Sequence, residues 1–253
     1  MTMEQPLSPE IEPAPPSFVT RLRQALAVPA RLLGVLFIPD RMMPRVVGEQ
    51  RRAAAFLTVT AFALLAALVV GQRIDVSRQV LEENDKERAM MGSDAPTKSD
   101  REIAEDIAKQ RTITQVQLGL AAGLGTPAVV FALGLGLLLV GRYVGGRPTM
   151  GRVVAAAANG SLPWAVKSLL VAVMAWPSAS LTPKDIHDIQ HIAVLPAPGD
   201  GLLRLASVDA FALWSVVLLG FGLAAASGMS RRRSFITIFI CFGMYQMLTG
   251  GAR

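Results

Sequence analysis

Hydrophobic positions along this chain come in long blocks, without the period of an amphipathic helix or strand. Five stretches are nearly free of charge: 53–71, 118–140, 153–176, 208–228 and 234–250. A helix needs about 20 apolar residues to cross the hydrocarbon core of a bilayer. In lipid every backbone N–H and C=O must be bonded within its own segment, so such blocks fold as helices. The pattern predicts an all-α, polytopic integral membrane protein with five transmembrane helices. The first, second and fourth blocks are continuous. The third carries "NGSLPWAVKS" at its middle, and the fifth, "SFITIFICFGMYQMLTG", is slightly short.

The segments between the blocks differ from one another. Residues 1–15 are acidic and proline-rich and read as a disordered tail. They lack the basic start and apolar core of a signal peptide. Residues 16–52 mix arginines with Phe18, Leu22, Leu26, Leu32, Leu33, Leu36 and Phe37 around a break at Pro29. This segment is either one or two interfacial amphipathic helices or a layer packed under the spans. Residues 72–117 read as an extramembrane helical hairpin that extends spans one and two into water. "GSDAPT" supplies its turn, and Ser99 with Glu102 forms a capping box for its second arm. Residues 177–207 form the other outer loop.

Composition agrees with a bilayer as solvent. Only 17% of residues are charged while 52% are hydrophobic, against roughly a quarter charged in soluble domains. The formal charge of +6 does not point to nucleic acid, because the arginines flank the apolar blocks. Arg21 to Arg52 precede span one, Arg142, Arg147 and Arg152 separate spans two and three, and Arg231, Arg232 and Arg233 separate spans four and five. Short basic connections stay cytoplasmic. This predicts a cytoplasmic N-terminus, an external C-terminus, and an anchoring role for the Arg231–Arg233 triplet at the cytoplasmic end of span four, where the helix dipole favours cations. A site for anionic lipid is the sharper alternative for the triplet.

Candidate chemistry is sparse. Lys167 lies about nine residues, roughly 13 Å, from the outer end of span three. Its best acidic partner in another span is Asp209, which otherwise serves as a dipole-complementing N-terminal aspartate. Lys167, Asp209 and Asn159 are the intramembrane polar candidates, since ionisable groups in a span are costly and often functional. Gly160 and Pro163 predict a kink. Gly119 with Gly123, and Gly222 with Ala226, have the four-residue spacing of close helix contacts, within the chain or between copies. His187 and His191 share a helix face and form a weak zinc candidate without a third ligand. No cofactor is implied. No GxSxG, HExxH or Walker A motif is present, so no catalytic residue is assigned.

The stretch "VDAFALWSVVLLGFGLAAASGMSRRRS" resembles the penultimate span of bacterial Yip1-domain proteins, with Asp209, Phe211, Trp214, Gly222 and Ser227 at the matching positions. The basic lead-in with Pro29 and Pro39 and the proline in the third span are similar too. The resemblance implies an all-helical protein of the bacterial cytoplasmic membrane without catalytic residues. It also implies an accessory or regulatory role through binding other integral membrane proteins, such as an ABC-type exporter or its adaptor, in contact with membrane lipids. A small-solute or lipid transporter using the broken third span is the alternative. Homo-oligomers fit either reading.

Overall fold

The computed structural model describes residues 18–91, 98–182, 185 and 209–250. Within them the chain is helical, with an isolated parallel bridge between Ile74 and Leu181 and no strand. The order is α1 (Phe18–Phe37), α2 (Pro39–Gly48), α3 (Ala53–Arg73), α4 (Ser77–Met91), α5 (Asp100–Leu120), a π-helical turn (Ala121–Gly125), α6 (Thr126–Tyr143), α7 (Met150–Gly160), α8 (Leu162–Ala175), α9 (Ala210–Ser227) and α10 (Arg231–Gly250).

Among the described residues three helices are long and apolar enough to cross a membrane: α3, the continuous Asp100–Tyr143 run, and α9. The third and fifth blocks stand apart from these. The third is divided into α7 and α8, and the fifth begins with its three arginines already in the helix. The outside of the bundle is apolar. Leu57 and Leu68 on α3, Val129 and Leu139 on α6, Val173 on α8, and Ile240 and Met247 on α10 are all exposed. Such a surface would aggregate in water and matches a bilayer. These helices fit a multi-pass membrane protein.

The contact of α7 with α6 and α9 is built from small residues. Ala155 to Ala158 are fully buried on α7, against α6 on one side and α9 on the other. A Cβ on Gly222 would sit 2.9 Å from that of Ala156, and one on Gly134 would sit 3.1 Å from Val154 Cγ2. With little hydrophobic drive between helices in lipid, such close approach supplies the packing energy.

Several breaks have local causes. Pro29 does not break α1; the interruption falls at Ile38, because a residue before proline avoids the helical region and Pro39 fits the first turn of α2. α2 is not a surface helix alone: Met43, Val46 and Val47 enter the core beside α7 and α9, whereas Leu33, Phe37 and Ile38 face outward. Ser161 separates α7 from α8, and Pro163 stands in the first turn of α8. The π turn precedes Pro127. Proline has no N–H for the Gly123 carbonyl, so the helix widens there and continues.

The two arms of the hairpin leave the bundle differently. The second arm runs unbroken into α6, 44 residues in all, about 66 Å at 1.5 Å per residue. That is roughly twice the hydrocarbon thickness, so α5 extends span two into water. The first arm breaks from α3 at Ile74–Val76. There Asp75 N–H donates to the Leu181 carbonyl at 2.9 Å and Leu181 N–H donates to Arg73 at 2.7 Å, stitching the exit of α8 to the end of α3.

Candidate functional site

α8 and α9 meet at one charged contact. Lys167 lies one turn beyond Trp164 and its ammonium sits 5.4 Å from the indole centroid. The same ammonium donates to Asp209 Oδ2, forming an ion pair whose side chains are each 15% exposed. Asp209 is the N-cap of α9, and its other oxygen accepts the Phe211 N–H at 2.8 Å. One carboxylate therefore satisfies a helix N-terminus and neutralises a lysine on the neighbouring helix. The structural and the ion-pair readings of Asp209 coexist, because each uses a different oxygen.

Asn159 lies at the α7–α8 break and is almost fully buried. Its Nδ2 donates to the Ala155 carbonyl at 2.8 Å and to the Arg51 carbonyl at 3.0 Å, just before α3 begins. An unpaired buried amide would be expensive; here it ties the start of α3 to the third apolar segment. Beside it Arg31, Val46, Arg51 and Ala55 help to line a cavity of about 40 Å³. That is room for a few waters. Ser161 returns its hydroxyl to Ala157 at 2.8 Å.

Gly160 does more than loosen the kink. A Cβ there would lie 2.5 Å from Leu219 Cδ2, so the break is also where α7 presses on α9. Ala226 is fully buried, and Gly123 lies 3.5 Å, at its virtual Cβ, from Leu64 Cδ2. The same construction at Gly119 meets nothing within 4 Å, so that glycine stands open. Gly134, Gly141 and Gly220 make contacts that the four-residue spacing rule did not single out, against Val154, Leu223 and Phe235. Their partners lie on other helices, and no spacing within one helix encodes them. Three buried hydroxyls, Thr60 on α3, Ser215 on α9 and Ser234 on α10, have no hydrogen-bond partner among the described residues; their presence in apolar runs was the available signal.

The arginine triplet requires a correction. Gly228, in the left-handed conformation at φ 73°, ends α9, and Arg231 to Arg233 occupy the first turn of α10. They stand at the positive end of that helix dipole, so the expected favourable dipole term is absent. Arg231 reaches back over the Phe221 ring, 5.6 Å from its centroid, and donates to the Asp40 carbonyl at 3.3 Å.

The hairpin is held by charge. Lys98 donates to Asp106 at 2.9 Å and to Asn84 Oδ1 at 2.8 Å, joining the two arms. The hydrogen bond to Asp106 raises the Lys98 pKa above the usual lysine range. Ser99 and Glu102 form a complete capping box. Asp75 accepts the Ser77 N–H at 2.9 Å, and the Ser77 backbone and then its hydroxyl hold that carboxyl below the usual range. His187 and His191 lie outside the described residues. Among the described residues no group of three or more His, Cys, Asp or Glu is arranged to hold a metal ion.

The family model of the Yip1 domain matches residues 33–251 of the chain. No curated protein and no solved structure matches it.

Proposed function

This chain belongs to the Yip1 domain family of membrane proteins, and from that premise we propose that it is a non-catalytic accessory protein that binds other integral membrane proteins. The observation that carries this reading is how its intramembrane polar groups are used. Lys167, Asp209 and Asn159 are all engaged within the chain, joining α8 to α9 and α3 to α7. A transport path needs polar groups turned to a passage; here Lys167 and Asp209 are turned to one another, and the Asn159 amide to backbone carbonyls. The family is not known for catalysis, in keeping with a role in binding.

The finer proposal has five spans: α3, α5–α6 beyond the π turn, α7–α8 together, α9 and α10. The N-terminus is cytoplasmic and the C-terminus external, in the cytoplasmic membrane of a bacterium. The basic turns before α3, between α6 and α7, and before α10 support this orientation. The charged hairpin α4–α5 then projects outward and offers the docking surface. Its exposed face carries Arg78, Glu82, Arg101 and Glu105, paired along each helix and free to exchange partners. A complex such as an ABC-type exporter or its adaptor has external parts that such a hairpin could reach.

The test is affinity isolation of the N-terminally tagged protein in mild detergent, followed by mass spectrometry. Stoichiometric recovery of another integral membrane protein, lost when the hairpin 77–117 is replaced by a short linker, is expected. Recovery of the tagged protein alone, together with solute flux in sealed vesicles, would overturn the proposal.

A further inference from the structure

The two ends of this bundle are unlike in charge. At the end formed by the α6–α7 and α9–α10 turns, exposed arginines converge from three elements. The Arg231 guanidinium reaches the Asp40 carbonyl, bringing Arg41 beside the start of α10. Arg147 N–H donates to the Ser227 carbonyl at 3.1 Å, holding the α6–α7 turn, with Arg142 at its head, against the end of α9. A Cβ built on Gly145 would lie 3.9 Å from Arg233 Nη2, so that guanidinium stands over the same turn. Arg41, Arg142, Arg147, Arg231, Arg232 and Arg233 are exposed, and among the described residues none pairs with a carboxylate.

Membrane orientation alone does not explain this arrangement. Orientation needs basic residues on one side of the bilayer, with no requirement that they touch. Here they are gathered at the positive pole of α10, whose first turn contains no acidic residue. Like charges so placed repel one another and the dipole, and an anion would relieve both. The next turns of α10 say which kind of anion. Ile236, Phe239 and Ile240, spaced three and four apart, are exposed at 50%, 44% and 58%. They form an apolar strip leading directly away from the arginines along the helix. A basic head continuous with an apolar strip has the polarity of a phospholipid.

We propose that this cluster is a binding site for an anionic phospholipid, with its phosphate held by Arg231, Arg232 and Arg233 beside the α6–α7 turn and an acyl chain along Ile236, Phe239 and Ile240. The site does not depend on which side of the membrane the cluster faces, so it stands or falls separately from the proposed orientation and partner binding.

The test uses the full-length purified protein in mild detergent, mixed with phosphatidylglycerol or with phosphatidylcholine of the same acyl chains. Native mass spectrometry then counts retained lipid. Wild type is expected to retain phosphatidylglycerol preferentially, and neutralising each arginine should weaken retention about fivefold, the scale of one basic residue at an anionic surface. The triple variant Arg231→Gln, Arg232→Gln, Arg233→Gln should bring retention to the phosphatidylcholine level. A triple variant removing as many charges from the other end, Arg78→Gln, Arg101→Gln, Arg111→Gln, should leave it unchanged. Equal retention of the two lipids by wild type needs no variant and would overturn the proposal, as would an equal loss in both triple variants. Displacement of the lipid by glycerol phosphate at equal concentration would mark a soluble-anion site and overturn it too.

Discussion

Removing either member of the Lys167–Asp209 pair should destabilise the bundle, and removing both should do less harm than the two single changes predict. Both side chains are only 15% exposed, and breaking one half of a buried pair leaves an uncompensated charge worth about 3–5 kcal/mol. Lys167→Ala belongs near the low end, about 3 kcal/mol, because Asp209 keeps the Phe211 N–H that it caps. Asp209→Ala strands the lysine and also removes an N-cap, so it should lose about 1 kcal/mol more. In the double variant no charge is stranded, and the loss should fall short of additivity by about 2 kcal/mol. Equilibrium unfolding in mixed detergent micelles, followed by tryptophan fluorescence, suits the measurement, because Trp164 stacks over Lys167 and Trp214 lies on α9. Additive losses within about 0.5 kcal/mol, or single losses each below the roughly 1 kcal/mol of a surface ion pair, would refute the reasoning.

Four further outcomes follow from the packing and the caps. Asn159→Ala should destabilise by about 1–3 kcal/mol, read by the same unfolding assay, since the Arg51 carbonyl loses its donor. Gly160→Ala should also destabilise, by about 1–3 kcal/mol, because its Cβ would meet Leu219 at 2.5 Å. Gly119→Ala, with open space around it, should be neutral or stabilise by up to about 1 kcal/mol through helix propensity. Acid should loosen the α3–α4 joint. The Asp75 pKa is lowered by its hydrogen bonds from Ser77, so its contribution is present above the ordinary carboxylate range and is lost as pH falls through the lowered value. Protection of the Ser77 amide, its exchange rate compared with the intrinsic rate at each pH, should fall over that acid window in the wild type, and Asp75→Asn should abolish that fall.

The hydrophobic blocks carried most of the architecture, because in lipid a long apolar run has only one backbone solution. The Pro163 kink was readable for the same reason that proline breaks any helix, and the Ser99–Glu102 box because capping is a local exchange between residues three apart. What escaped was set by neighbours distant in the chain. Pro29 and Pro44 stay helical while the chain breaks at Ile38 before Pro39, and nothing local in the sequence separates the three prolines. Gly134, Gly141 and Gly220 gain their roles from Val154, Leu223 and Phe235. The arginine triplet, expected in the turn after span four, instead begins the next helix, because Gly228 ends α9 and the turn is only Gly228 to Ser230. The sequence brought Lys167 and Asp209 forward as potential partners, but the double use of the Asp209 carboxylate required the geometry of the α9 N-terminus.

The central claim is the five-span arrangement with the basic turns on the cytoplasmic side, on which the outward hairpin and its partner depend. Its most direct test replaces Cys241 with serine and introduces single cysteines at Ser93, Gly146 and Ala197, labelled in intact cells with a membrane-impermeant maleimide. Labelling at Ser93 and Ala197 but not at Gly146 is the predicted result. Labelling at Gly146, or its absence at Ser93, would contradict the arrangement.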